Sequence, residues 1–524
     1  MRKTPKKPMT PPLLKASFGV ALMTLVSRIL GFARDLVIAG LFGVTAETDV
    51  FFVAFKIPNF LRRLFAEGAF SQAFVPVLAG ALTRSGPKAA REVIAPVLGS
   101  FAFFLSLFTV LGIGGSTPLI GLFAPGFESD PGRMALGGSL LSLTLPYLPF
   151  IALTALCGGI LNTTGHFLLP ALTPALLNLA LIGAALFLRD AFKVPVTALA
   201  VGVLIGGLSQ LLIQLFFVAK AGLLPKPRIA LNDPAVQQVF GRMLPALFGA
   251  SIAQVNLLIN TFLASTLETG SISWLYYADR LLEFPLGLIG VALGTVILPR
   301  LSSLRAQGED QAFGETLNLG LGTLLILGLP AALGLALLAE PLMLTLFQHD
   351  EFAIHDAQMA ARSLVAYALG LPGFLAIRVL VPAFSAHEDL RTPAQVGLVA
   401  VLLNLLASLL ATSGLTPQGF AHAGLAAAVS LSALTNALLL GLCLWRRGWW
   451  TPPGQSSGFL TRLLGANLLL AGFLHEAGAR FPFAALSALE RLGALMLLMT
   501  GGLAIYGCSL WLLKLPLRPE RGSP

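Results

Sequence analysis

The sequence predicts an all-α polytopic membrane protein, and three observations carry that prediction: the composition, the length of the apolar runs, and the placement of charge. Of 524 residues, 56% are hydrophobic and 11% charged, with a mean hydropathy of +0.84, against about 25% charged in an average soluble domain. A hydrocarbon core about 30 Å thick needs about 20 apolar helical residues to cross it, and such runs recur from end to end. The runs are apolar all round and rich in Leu, Ala and Gly, whereas membrane-barrel strands would alternate over segments of about 10 residues. Lys and Arg gather in alternate connections between the runs.

Taken in order, the first run, near 14–42, follows a basic start and continues into Ser27 and Arg28 without a small-residue cleavage site. It is read as a retained helix and not as a secretory signal. The second, near 48–81, is longer than a span requires; Pro58 removes a backbone donor and Gly68 weakens the middle, so a break is expected. Runs near 91–123, 134–161, 167–188 and 195–219 follow, divided at polar, Pro or Gly-rich stretches. In the last of them Gly202 and Gly206 have the spacing of close helix packing. The runs near 235–265 and 271–299 carry polar residues; Gln254, Asn256 and Asn260 are polar enough to line a cavity, and hydrogen-bonding between helices is their expected use. Runs near 312–346, 354–385, 393–413, 419–445, 458–475 and 486–513 bring the candidates to about 14 transmembrane helices.

Other classes are excluded by what the chain lacks. No soluble domain of any size is left over, and no Gly-x-x-x-x-Gly-Lys phosphate loop occurs, which removes an ATP-driven pump within this chain. His387-Glu388 and His475-Glu476 lack the second His of a zinc-protease motif, so no metal site is expected. Cys157, Cys443 and Cys508 each lie in an apolar run and read as small packing residues. No catalytic group and no cofactor is expected.

Orientation follows from positive charge retained in the cytoplasm. One set of alternate connections holds Arg2, Lys3, Lys6 and Lys7, then Arg84, Lys88 and Arg91, then Lys220, Lys226 and Arg228. It continues with Arg300, Arg305, Arg391, Arg446 and Arg447, and ends with Lys514, Arg518 and Arg521. The opposite set holds little beyond Arg133, Arg189, Lys193 and Arg480. Both termini are therefore expected in the cytoplasm. The formal net charge of +10 reflects this bias and attraction to anionic lipid, and is no sign of nucleic-acid binding.

Removing the loop charges leaves those inside predicted spans: Arg28, Arg34 and Asp35 in the first; Asp49, Lys56, Arg62, Arg63 and Glu67 in the second; Asp279, Arg280 and Glu283 in the eighth. Arg242, Arg362 and Arg378 are scattered elsewhere. A charge at the bilayer centre costs on the order of 2.5–3.5 kcal/mol on insertion scales, so the cluster must face itself or a wet cavity. Arg28 and Asp35 lie seven residues apart, nearly on one line, and Asp279, Arg280 and Glu283 stand at offsets that bring side chains together. Single members have bland readings: Arg62 and Arg63 as snorkelling residues, Arg28 with Asp35 as a structural ion pair. The set as a whole, with its positive excess, favours a cavity for an anion, and the planar fork of arginine suits phosphate. Gly31, between two arginines, and Pro58 are candidate hinges of the kind that broken transporter helices use.

Three long stretches carry a resemblance: SRILGFARD (27–35), TDVFFVAFKIPNFLRRLFAEGAFSQAFVP (48–76) and SWLYYADRLLEFPLGLIGVALGTVILP (273–299). Together they closely resemble the MurJ/MviN family of lipid II flippases, within the multidrug/oligosaccharidyl-lipid/polysaccharide exporter superfamily. The resemblance implies two six-helix lobes around a central cationic cavity, at 1–222 and 223–450, and two further helices at 451–524 forming a groove for a lipid tail. It places the family's cavity arginines on Arg28, Arg34, Arg62 and Arg280, with Asp35, Asp49 and Glu283 as associated acidic, gating residues. The implied cargo is undecaprenyl-diphosphate-linked disaccharide pentapeptide, flipped by alternating access across the bacterial inner membrane by a monomer. Cell wall synthesis proteins are open as further partners. Coupling to a monovalent ion or to membrane potential is also open; Asn404 and Ser408 stand where an ion could sit, without the carboxylates such a site would want. Two alternatives remain at this stage, a flippase for another polyprenyl-diphosphate-linked sugar and a non-catalytic scaffold for wall-synthesis enzymes.

Overall fold

The computed structural model describes residues 11–63, 70–415, 419–452 and 457–513. Among them every regular element is helical, as expected. The chain forms two compact units, Met1–Gln254 and Val255–Pro524.

The first unit holds α1 (Pro11–Phe42), α2 (Ala46–Arg62), α3 (Phe70–Gly114), α4 (Ser116–Phe123), α5 (Pro131–Thr144), α6 (Tyr147–Thr163), α7 (Leu168–Phe187) and α8 (Thr197–Lys220). The divide falls inside α9 (Pro234–Ser265). The second unit continues with α10 (Ser271–Gln307), α11 (Asp310–Leu337), α12 (Ala339–Leu346), α13 (Ile354–Ala386), α14 (Arg391–Leu415), α15 (Ala421–Arg446), α16 (Ser457–Gly478) and α17 (Ala488–Leu512). Ten spans among the described residues are long and apolar enough to cross a membrane, with α5 and α6 forming one of them. The expected count of about fourteen rests on the sequence; α1, α2 and α10, which stand outside the ten, bear most of the internal charges.

The run expected near 48–81 falls on two helices, α2 and α3, and α2 itself continues through Pro58 to Arg62. A proline leaves the carbonyl four residues earlier without its helical donor. Here that carbonyl, of Ala54, accepts from the Thr144 hydroxyl on α5 at 3.4 Å, so it is not left without a donor. Gly68 and Glu67 lie outside the described residues. The connection expected over 82–90 shrinks to one residue, Gly86, whose φ of 76° and ψ of −168° turn the chain inside α3 ahead of Pro87.

Apolar packing organises each unit. In the first, Phe70, Phe74 and Phe101 stack in a buried core shared by α3, α6 and the first turns of α9, with the Phe70 and Phe101 rings 4.3 Å apart. α7 and α8 approach closely where Gly202 and Gly206 face Ala184 and Leu177, as their spacing predicts; an added Cβ would stand 2.8 and 2.7 Å from those side chains. In the second unit α13 packs against α10, α11 and α15. Buried Arg491 on α17 donates to the carbonyls of Phe483 (2.7 Å), Leu344 (3.1 Å) and Ala484 (3.2 Å) and to Gln348. Tyr506 donates to the Ile326 carbonyl at 2.7 Å. These bonds tie the last helix to α11 and α12.

Candidate substrate site

α1 is continuous through Gly31, and it presents its charges unequally. Arg28 is exposed. Arg34 and Asp35 are buried, at 8% and 1% of full exposure. The Arg34 guanidinium folds back on its neighbour, with Nε and Nη2 donating to Asp35 Oδ1 at 3.0 and 2.7 Å. Its Nη1 donates to Asn178 Oδ1 on α7 at 3.0 Å. The Asn178 amide in turn donates to the Ser27 carbonyl at 3.1 Å. The structure thus brings Arg34, and not Arg28, to Asp35, the carboxylate being buried and Arg28 exposed.

α2 begins at a side-chain cap, the Thr45 hydroxyl accepting from the Thr48 N–H at 3.1 Å. Asp49, 2% exposed, sits in the first turn, where the partial positive charge of a helix start favours a carboxylate. At the other end Arg62, half-buried, donates from Nε to Asn59 Oδ1 at 3.1 Å.

In the second unit, α10 carries Arg280 with its guanidinium 4.8 Å from the centre of the Tyr276 ring. Nη1 donates to Glu283 Oε2 at 2.7 Å, the pairing expected from the spacing. This pair is open, its side chains 28% and 47% exposed. One turn back the helix is anchored: Trp274 donates to Asp356 at 2.9 Å, and buried Tyr277 packs on Phe347 and Phe352. Asn404, fully buried on α14, donates to Asn256 and Asn260 at 3.2 and 3.3 Å, the interhelical role expected of those asparagines.

Charges at the connections are held in a different manner. After α15, Arg447 pairs with Asp389, donates to the Thr392 hydroxyl at 2.7 Å and stacks on Trp449. The Thr392 hydroxyl and N–H, with Arg447, hold the Asp389 carboxyl well below the usual carboxylate range. His387 stacks on Trp449 at 3.9 Å; burial, with Arg305 and Arg447 near, lowers its pKa. Neither His387-Glu388 nor His475-Glu476 belongs to a metal-binding group among the described residues.

Asn178 and Asn59 are the participants that sequence reasoning missed. A lone amide in the otherwise apolar run Leu168–Phe187 was the available signal for the first.

The described helices, with arginine–carboxylate pairs on α1 and α10, form a helical polytopic membrane protein. A multidrug-resistance MATE family transporter of the MOP superfamily, in an inward-facing conformation, shares the fold with a TM-score of 0.63 at 12% identity, over 82% of this chain and 97% of that one. The particular family follows from the sequence: the profile described as "Lipid II flippase MurJ" matches residues 38–492, and the chain belongs to the MurJ family. It is 43% identical over 469 residues to a probable lipid II flippase MurJ of Vibrio cholerae, covering 88% of each chain. It is 39% identical over 507 residues to the lipid II flippase MurJ of Burkholderia cenocepacia, covering 96% of this chain and 97% of that one. A solved lipid II flippase MurJ in an inward closed conformation superposes with a TM-score of 0.78 at 26% identity, covering 94% of this chain and 99% of the other.

Proposed function

We propose that this chain flips lipid II from the cytoplasmic to the outer leaflet of the bacterial inner membrane by alternating access, and so supplies cell wall synthesis. The observation that carries the reading is family membership over residues 38–492, joined to arginines kept inside membrane helices by carboxylates. Arg28, Arg34, Arg62 and Arg280 engage the diphosphate, whose oxygens match the guanidinium fork. Asp35 and Glu283 pair with Arg34 and Arg280 at 2.7 Å, and they compete with the diphosphate for these arginines and so help release the lipid. Asp49 contributes a further acidic group to the same competition. α1 and α2 bend near Gly31 and Pro58 as access alternates, and the polyprenyl tail stays among lipids along α16 and α17.

Both termini lie in the cytoplasm, in keeping with the lysines and arginines of alternate connections. The chain acts as a monomer, breaks no bond in its cargo and uses no cofactor. Membrane potential biases the cycle, since moving one charge is worth about 2.3 kcal/mol per 100 mV.

The test uses cells depleted of their own flippase and rescued by this protein. Lipid II accessible to an enzyme added outside is measured for wild type and Arg28→Ala at matched membrane levels. Wild type restores exposure and the variant does not. Exposure restored by both removes Arg28 from the site, and exposure restored by neither overturns the substrate assignment.

A further inference from the structure

Asn178 makes two bonds to α1 that no part of the transport reading requires. Its amide nitrogen donates to the Ser27 carbonyl at 3.1 Å, and its carbonyl oxygen accepts from Arg34 at 3.0 Å. Ser27 and Arg34 are seven residues apart, about two helical turns, and Gly31 lies midway. A Cβ at Gly31 would stand 3.4 Å from the Asn178 amide nitrogen, so the glycine is the seat in which this side chain rests. One buried amide thus grips α1 on both sides of its candidate hinge, and the far grip is the Arg34 guanidinium itself.

We infer that Asn178 is a positioning residue that splints α1 across Gly31 and gives way when an anion takes Arg34. A bend at Gly31 changes the distance between Ser27 and Arg34, and an amide held at both ends cannot follow both. While Arg34 stays with Asp35 and Asn178, α1 runs unbroken through Gly31. Once the guanidinium turns to phosphate oxygens, the splint has one end only and the bend is open. Anion capture and helix bending become one event. The link to transport rests on the flippase reading; the splint itself does not.

The test labels Leu22→Cys and Leu41→Cys, one on either side of Gly31, with spin probes in a full chain lacking Cys157, Cys443 and Cys508, and reads their distance distribution in nanodiscs without added lipid II. Asn178→Ala broadens the distribution, Arg34→Ala broadens it at least as much, and the double variant broadens it no further than Arg34→Ala, because the splint is already gone. Asn178→Asp keeps an acceptor for Arg34 and loses the donor to Ser27, so it too broadens the distribution. An unchanged distribution in Asn178→Ala, or broadening that adds in the double variant, overturns the splint. Lipid II is then added: wild type shifts to the bent population, and the half-maximal concentration falls several-fold in Asn178→Ala but not when Arg34 is also Ala. A splint seen in a protein that binds no lipid II leaves the splint standing and sinks the flippase reading. A wild type that binds lipid II while α1 keeps the straight distance sinks the inference and leaves the reading.

Discussion

The two charged turns on α1 and α10 use the same chemistry and treat it oppositely. On α1 the guanidinium and carboxylate are neighbours in sequence, both buried, and a third partner, Asn178, completes the arrangement. On α10 the partners are three residues apart and open, and the guanidinium leans on a tyrosine ring. A buried pair stripped of one partner leaves a charge in a low dielectric; an open pair leaves a charge that water solvates. The first turn is therefore a structural commitment that must be undone for Arg34 to act, whereas the second can act at little conformational cost.

That contrast breaks first at Asp35. Asp35→Ala takes the carboxylate from a buried guanidinium and should lower stability by about 3–5 kcal/mol, read as the unfolding midpoint in detergent; a loss under about 1 kcal/mol would mean that water reaches the α1 turn and the contrast fails. Arg34→Lys keeps the charge but cannot serve Asp35 and Asn178 through one planar fork. It should cost about 1–3 kcal/mol in the same measurement, and substituting Asn178 in that background should cost less than it does alone.

Glu283→Gln should move stability by less than about 1 kcal/mol. Its effect belongs in transport, where it frees Arg280 and slows lipid release, so lipid II appears more slowly at the outer surface at unchanged protein level. A large loss of stability there would erase the difference between the two turns.

The smallest effect concerns the connection, which calibrates both. The folded-state pKa of Asp389 is depressed, so its contribution is present above the unfolded value of about 3.9 and is lost only as pH falls through the lower folded value. Exchange protection of the Arg391 and Thr392 amides, which donate to Asp389 at 3.0 Å, should persist below pH about 4 and disappear in Asp389→Ala at every pH.

Much of this was legible in the sequence, for identifiable reasons. Helix positions follow from apolar runs and polar breaks, so the expected 354–385 appears as α13 and 271–299 begins within α10. The i,i+3 offset was enough to find Arg280 with Glu283, because a helix brings that pair together unaided. Asn178 was not legible as the partner of Arg34, since 144 residues separate them and only the packing of α1 on α7 joins them. The continuity of α2 was hidden for a similar reason: the sequence records that Pro58 removes a donor, and only the fold brings Thr144 to the Ala54 carbonyl.

Arg491 has a consequence for how the protein is made. Its acceptors on α12 and in the turn before α17 are already synthesised when the last helix emerges, and among them the Leu344 carbonyl and Gln348 have left the ribosome about 150 residues earlier. The earlier part of the second unit is inserted with those oxygens still awaiting their donor, and only the final helix to enter the bilayer supplies it. The bonds that tie α11 and α12 to the last helix therefore form at the end of translation, and a chain stopped after α15 lacks their donors, Arg491 and Tyr506.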